Sequence, residues 1–439
     1  MTHTLRMDFS ARRERFLKEM GPGVAVFPAA EVVIRNGDVE HDFRQDSDMH
    51  YLCGFDEPHS VLLLSNQHPE HRSVLFVQAR DPAREIWDGP RAGVDGAVKD
   101  FGVDAAYTIE ELDEKLPEYL KNVDRLYYRW GCGAEFDADI QQAIETLRPL
   151  RRKGIEGPNS LHDPTKILHE HRLFKDADEV EAMRKAASIS AEAHKAAMRT
   201  AQPGAFEYEV EATLLSHFRR GGSPRAAYGS IVGSGAHATI LHYVKNDGAI
   251  ADGDLLLIDA GCELQHYASD ITRTFPANGK FSAEQRAIYE IVLRSERAGI
   301  QATTPGATLD GIHDVCVREL ISGLLEIGLL EGTVESQIES ADYKKFYMHR
   351  TSHWLGMDVH DVGSYFSEGK ARPLEPGMVF TIEPGIYIGE TSDVEDRWKG
   401  IGIRIEDDVL VTSDGHDVLT DGVPTDPDAI EAWIAGANA

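Results

Sequence analysis

Cysteine is scarce in this chain and positive charge is short. Cys53, Cys132, Cys262 and Cys316 are scattered through 439 residues with no C-x-x-C pair, which excludes a disulfide framework and a zinc-ribbon spacing. All four are expected to be reduced, and most of them buried. Against 74 Asp and Glu stand 45 Lys and Arg, a formal charge of −29, and such a field repels phosphate backbones and anionic lipid. Nucleic acid and membrane surfaces are thereby excluded as partners. No stretch approaches the roughly 18 consecutive apolar residues of a membrane helix. Residues 1–21, with Arg12, Arg13, Glu14, Arg15, Lys18 and Glu19, lack the apolar centre of a signal peptide. They read as the amphipathic first helix of a cytoplasmic protein. What is present, 42% hydrophobic and 27% charged residues, describes a folded chain too long for one ordinary core, so two domains are expected.

The first third alternates short apolar runs at 24–27, 61–64 and 73–77 with a helical stretch over 109–121, an α/β pattern. Periodicity lapses at GIEGPNS, residues 154–160, and Pro164 follows. This punctuation predicts a linker within 154–175, separating a domain over 1–175 from one over 176–439. From Asp176 an acidic first turn and a run of helix formers predict a long helix ending before Pro203-Gly204. Further helices are expected over 208–220, 283–299 and 309–327. Strands are expected over 255–259, 267–275, 379–382 and 401–411, an order that suits α+β better than a doubly wound sheet. An internal echo joins two of them. Gly253 leads by six residues to Asp259 and by two more to Gly261, as Gly377 leads to Glu383 and Gly385, which points to a duplicated half-domain.

Carboxylates end or interrupt these apolar strands. In residues 252–275 a hairpin turning near 263–265 predicts Asp259 opposite Asp270, and like charges that face each other on an apolar sheet need a proton or a cation between them. Taken singly, Asp259 reads as a turn cap and Asp270 as the residue before a strand. Glu383 at the end of VFTIE and Glu406 within GIGIRIEDDVLV repeat the setting, and four such acids call for one explanation. The stretch HRTSHWLGMDVHDVG, residues 349–363, adds His349, His353 and His360. Four carboxylates and an imidazole form an oxygen-rich donor set that suits Mn²⁺, with Co²⁺, Fe²⁺ and catalytic Zn²⁺ as alternatives. Four acids balance two divalent ions, and paired metals about 3.5–4 Å apart favour hydrolysis.

The motifs ILHY (240–243), LLLIDAG (255–261), SDITRTFP (269–276), SHWLGMDVHDVG (352–363), LEPGMVFTIEPGIYI (374–388) and GIGIRIEDD (400–408) stand in the order of the pita-bread metallopeptidases. The chain resembles, within them, the aminopeptidase P family. Residues 38–58 (DVEHDFRQDSDMHYLCGFDEP) and 85–89 (EIWDG) are similar to that family's non-catalytic domain.

The resemblance implies a pita-bread α+β catalytic domain behind a smaller α/β domain, and removal of an N-terminal residue that precedes proline. It implies two divalent ions, with Asp259 a ligand of one, Asp270 and Glu406 bridging, and His353 and Glu383 ligands of the other. Glu383 would move the proton, while His242 and His360 would bind the substrate and the developing oxyanion. His349, Tyr228, Tyr387 and Arg404 would line the proline side, with Arg404 able to reach a carbonyl or a terminal carboxylate, and Arg372 would assist there. Trp87 would reach a neighbouring subunit's site in a homodimer or homotetramer. A dipeptide-restricted prolidase and a non-catalytic peptide-binding protein are the alternatives. One position departs from the pattern, since Arg350 stands where glycine is expected after the first histidine.

Overall fold

The computed structural model describes residues 7–436. They divide into two compact units, Met7–Arg172 and the chain from Leu173 onward.

The first unit is built on a six-stranded mixed sheet. Its strands run in the order Ala105–Thr108, Ser73–Val77, Val61–Ser65, Val24–Pro28, Arg125–Tyr127, Ser160–His162. Ser73–Val77 and Val61–Ser65 are buried along their whole length, which explains continuous apolar runs where a half-exposed strand would alternate. The expected helix over 109–121 forms as a 3₁₀ turn, Ile109–Glu111, leading into Leu112–Leu120. Its Leu112, Leu116 and Leu120 pack with Val24, Val26, Leu63 and Phe76. Ser47–Cys53 is a short buried helix capped by Asp46 at its start.

The second unit opens with the helix Ala177–Thr200, started by a reciprocal cap between Asp176 and Glu179. Glu207–Gly221, Ala283–Ala302 and Leu309–Glu326 are the other long helices. Glu207–Gly221 packs on the strand Ile231–Ser234, and Ala283–Ala302 on Val379–Ile382 and Ile401–Arg404. The sheets are small and antiparallel: Ile231–Ser234, Leu255–Asp259 and Thr272–Pro276 in one, Val379–Ile382, Asp407–Val411 and His416–Val418 in another, with Gly385–Ile388 paired to Ile401–Arg404. Helices lie on antiparallel sheets, the expected α+β arrangement. The echo is present in the backbone as well, because Gly253 and Gly377 take φ of +88° and +94° before strands that lead to Asp259 and Glu383.

Two expected strands are broken, and both breaks fall at acids. The run over 267–275 becomes Tyr267–Ala268 and Thr272–Pro276, with Asp270 in the gap. The run over 401–411 becomes Ile401–Arg404 and Asp407–Val411, with Glu406 in the gap. The cause is a crossing of sheets. Leu255–Asp259 pairs with Thr272–Pro276, while Cys262–Leu264 leaves to pair with Tyr267–Ala268 and Arg225–Ala226. At the crossing a Cβ on Gly261 would lie 1.7 Å from the Ser269 carbonyl oxygen, so only glycine fits. The register is therefore two residues away from the sequence expectation: Asp259 faces Thr272, not Asp270. A single bridge from Thr272 to Glu406 then ties the two half-sheets together.

The four cysteines are unpaired, three of them buried. Among the described residues no helix is long and apolar enough to cross a membrane.

Candidate metal centre

Each acid singled out in the sequence stands where a ladder of backbone hydrogen bonds stops. Asp259 ends its strand, Glu383 stands between Val379–Ile382 and Gly385–Ile388, and Asp270 and Glu406 occupy the two breaks. Where a ladder stops, side chains from several strands can turn to one point instead of alternating between faces. Asp259, Asp270, Glu383 and Glu406 line one cavity of about 590 Å³ together with His242, His349, His353, His360, Tyr228 and Arg404.

His353 shows what this point requires. Its Nδ1 lies 3.0 Å from the Trp354 carbonyl, so that nitrogen carries the proton and donates it. Nε2 then faces three carboxylates, 3.6 Å from Asp270 Oδ2, 3.8 Å from Glu383 Oε1 and 4.0 Å from Glu406 Oε1. These spacings are too long for good hydrogen bonds. Ligand atoms of Asp270, His353 and Glu406 all lie within 4.8 Å of one another. Electron pairs that converge out of water are stable only with positive charge among them.

The protonation equilibria carry the same message. Burial, with Asp270 and Glu383 close by, raises Glu406 well above the usual carboxylate range. Burial outweighs the nearby His353 and Arg404 at Glu383 and pushes it up to about 7. Asp259 is raised by burial although Arg404 opposes the shift. For Asp270 burial is overcome by His353, and its carboxyl stays below the ordinary value. At His353 burial is overcome by Asp270 and Glu383, which push the imidazole up to about 9. The donor set fits divalent cations: it is rich in carboxylate oxygen, has one imidazole nitrogen held by a carbonyl, and sets four carboxylates against the charge of Arg404 and His353.

Around this centre the neighbours have definite tasks. The Tyr228 hydroxyl lies 2.6 Å from Asp259 Oδ1 and 2.5 Å from Asp270 Oδ1 and spans the two acids. Arg404 donates from Nη2 to Asp259 Oδ2 at 2.5 Å, from Nη1 to the Tyr387 hydroxyl at 3.1 Å and from Nε to Thr272 Oγ1 at 3.2 Å. Each of its three nitrogens has a partner within the protein, which fixes the guanidinium in the cavity lining. Tyr387 in turn donates to His349 Nε2 at 2.9 Å, since His349 Nδ1 donates to the Arg350 carbonyl. Burial, with Arg404 nearby, lowers the His349 imidazole to about 4, so it is neutral. His360 stacks edge-on against His353 with centroids 4.4 Å apart.

Arg372 is not among the residues lining the cavity; its guanidinium lies over the Phe174 ring and 3.8 Å from Glu375. Trp87, on the helix Pro82–Asp88 of the first unit, is 84% exposed. Sequence reasoning passed over two residues. Thr272 donates to Glu406 Oε2 at 2.7 Å, and buried Asp408 accepts the Asp270 backbone N–H at 3.1 Å. Position within SDITRTF and RIEDD is the only signal they carried.

The comparisons with known proteins agree with this geometry. Residues 181–413 match metallopeptidase family M24, and residues 9–127 match the N-terminal domain of aminopeptidase P. The chain is 43% identical to the Xaa-Pro aminopeptidase of Escherichia coli (strain K12) over 441 residues, covering all of both chains. It is 38% identical to the human Xaa-Pro aminopeptidase 3 over 410 residues, 92% of this chain and 79% of that one. Among solved structures, the aminopeptidase PepP of Pseudomonas aeruginosa superposes with a TM-score of 0.97 at 50% identity, covering 99% of each chain. A substrate complex of an Escherichia coli aminopeptidase P variant superposes with a TM-score of 0.95 at 43% identity, covering 98% of each. The chain belongs to metallopeptidase family M24, with the N-terminal domain of aminopeptidase P preceding its catalytic domain.

Proposed function

We propose that this chain is an Xaa-Pro aminopeptidase that hydrolyses the bond between an N-terminal residue and a penultimate proline, with two divalent cations, best Mn²⁺, held by Asp259, Asp270, His353, Glu383 and Glu406. The observation that carries the reading is the convergence of His353 Nε2 with three buried carboxylates. Such ions supply Lewis acidity and a nucleophile made from water at neutral pH. Glu383 takes the proton of the attacking water and delivers it to the departing proline nitrogen. His242 and His360 donate hydrogen bonds to the scissile carbonyl oxygen as its charge grows.

Proline presents a tertiary amide without an N–H, so its ring is recognised by shape. His349 forms a flat wall for that ring, fixed by the chain of donors that runs from Arg404 through Tyr387 to His349, while Tyr387 itself is not among the residues lining the cavity. Tyr228 is a wall and also a positioning residue, because its hydroxyl is committed to Asp259 and Asp270. Thr272 and Asp408 hold Glu406 and the backbone of Asp270. The exposed Ile86 and Trp87 suit contact with a second copy of the chain, and we place the enzyme in the cytoplasm as a homodimer or homotetramer. Sedimentation of an active monomer would remove that part of the proposal.

The test compares Xaa-Pro-Yaa peptides, Xaa-Pro dipeptides and Xaa-Ala-Yaa controls on Mn²⁺-loaded protein. Higher kcat/KM on Xaa-Pro-Yaa and near-inert alanine controls are expected. A strong preference for dipeptides would make the enzyme a prolidase, and comparable cleavage of the alanine controls would end proline specificity.

A further inference from the structure

We infer that Arg350 reads a carboxylate carried by the residue that follows proline, an inference that rests on the aminopeptidase reading above. Arg350 stands where the family resemblance leads to glycine, and its side chain has not been used in the chemistry so far. It lines the same cavity as His349, His353 and Glu383. Its backbone carbonyl accepts from His349 Nδ1 at 2.8 Å, which sets it directly beside the wall assigned to the proline ring. The side chain is 60% exposed, and its Nη2 pairs with Asp310 in the first turn of Leu309–Glu326. Among the described residues, Nη1 and Nε have no hydrogen-bond partner.

Two guanidinium groups line this cavity, and the exposed one is Arg350. Arg404 is buried and gives Nε, Nη1 and Nη2 to Thr272, Tyr387 and Asp259. The interior also holds four carboxylates, in a chain whose formal charge is −29. With those carboxylates balanced by the two cations, an anionic group on a substrate that extends past the proline wall gains most beside the exposed Arg350. The existing pair with Asp310 is no obstacle. Exposed ion pairs contribute little, and a guanidinium has donors enough to keep one carboxylate while binding another. Two sources could supply that carboxylate, the C-terminal α-carboxylate of a tripeptide and an acidic side chain at the third position.

The experiment measures kcat/KM of the Mn²⁺-loaded full chain on Ala-Pro-Ala as free acid and as amide, and on the amides of Ala-Pro-Glu and Ala-Pro-Gln. Wild type is compared with Arg350→Ala, Arg350→Lys and Asp310→Asn. In Arg350→Ala the acid-to-amide ratio, or the Glu-to-Gln ratio, should fall about two- to fivefold, the scale of an exposed charge pair. Arg350→Lys should keep part of the ratio and Asp310→Asn should increase it. In wild type the ratio should shrink as salt rises. A change confined to the acid-to-amide ratio assigns the terminal carboxylate, and one confined to the Glu-to-Gln ratio assigns the side chain. If Arg350→Ala leaves both ratios unchanged, with all four peptides slowed by one factor, Arg350 only clamps its turn to Asp310 and the inference is overturned. A wild-type protein that cleaves none of the four overturns the aminopeptidase reading itself.

Discussion

Asp48 in the first unit and Glu406 in the second are both buried carboxylates, and their surroundings treat them in opposite ways. Asp48 accepts from Arg172 Nη1 at 2.6 Å and from His169 Nε2 at 3.2 Å. Burial pushes its carboxyl up, but His169 and Arg172 overcome this and hold it at about 2. Glu406 has Thr272 as a hydrogen-bond donor and three further acids as neighbours, and its carboxyl rises well above the usual range. Burial alone does not distinguish a functional acid from a structural one. The distinction lies in whether the protein supplies the opposite charge itself or leaves it to be supplied from outside.

The contrast is tested most severely at the ligands. Glu406→Ala or Asp270→Ala should lose at least one bound ion per chain and more than about a hundredfold in activity, since even outer partners of a metal cost 10–100-fold. Metal analysis and turnover decide this together; two ions retained with normal turnover would break the binuclear reading. On the structural side, Arg172→Met should destabilise the first unit by about 3–5 kcal/mol, because it strands Asp48 without its main cation. Chemical denaturation reads the loss, and Asp48→Asn added to Arg172→Met should restore part of it. Tyr228→Phe removes one hydroxyl shared by Asp259 and Asp270, and metal affinity measured by titration calorimetry should fall about 10–100-fold.

The smallest effects are in pH. Asp48 sits at about 2 in the folded chain against an ordinary 3.8. Its contribution, about 2 kcal/mol, is complete above the ordinary value and is lost as pH falls through 2. His194 in the second unit is buried and donates to the Ala260 carbonyl at 2.8 Å, and burial lowers its imidazole from 6.5 to about 4. The unfolded chain binds that proton more readily, so the contribution is complete above 6.5 and is lost as pH falls toward 4. Thermal melts across pH should flatten in the lower window for Asp48→Asn and in the upper one for His194→Gln. Swapped windows would show that the two contributions have been assigned to the wrong regions.

Much of this was legible without coordinates. The strands Leu255–Asp259 and Val379–Ile382 and the long helices match their expected positions closely, because apolar periodicity and capping residues act over a few residues of chain. The four carboxylates proposed as ligands stood out for a related reason, since a carboxylate in an apolar strand is a local contradiction that needs no fold to be noticed, whereas His353 was singled out from its neighbours His349 and His360 only by the family resemblance.

Other features required the chain to return on itself. The breaks at Asp270 and Glu406 follow from a crossing at Gly261 and a bridge from Thr272 to Glu406, contacts between residues far apart in sequence. The two-residue displacement that sets Asp259 against Thr272 has the same origin. Periodicity predicts continuous strands there, since it has no means of registering a third strand that takes over the hydrogen bonds. Tyr228 and Arg404 read from sequence as pocket walls and do line the cavity, and each is also bonded to acids 31 to 145 residues away. Arg372 lies over Phe174 instead of in the cavity. Residue types and their local spacing were enough to identify which chemistry is present, because ionisation and burial are properties of short segments. Which donor faces which acceptor was decided only by tertiary structure, because hydrogen-bond partners are selected by distances of a few ångströms between parts of the chain whose separation in sequence carries no such information.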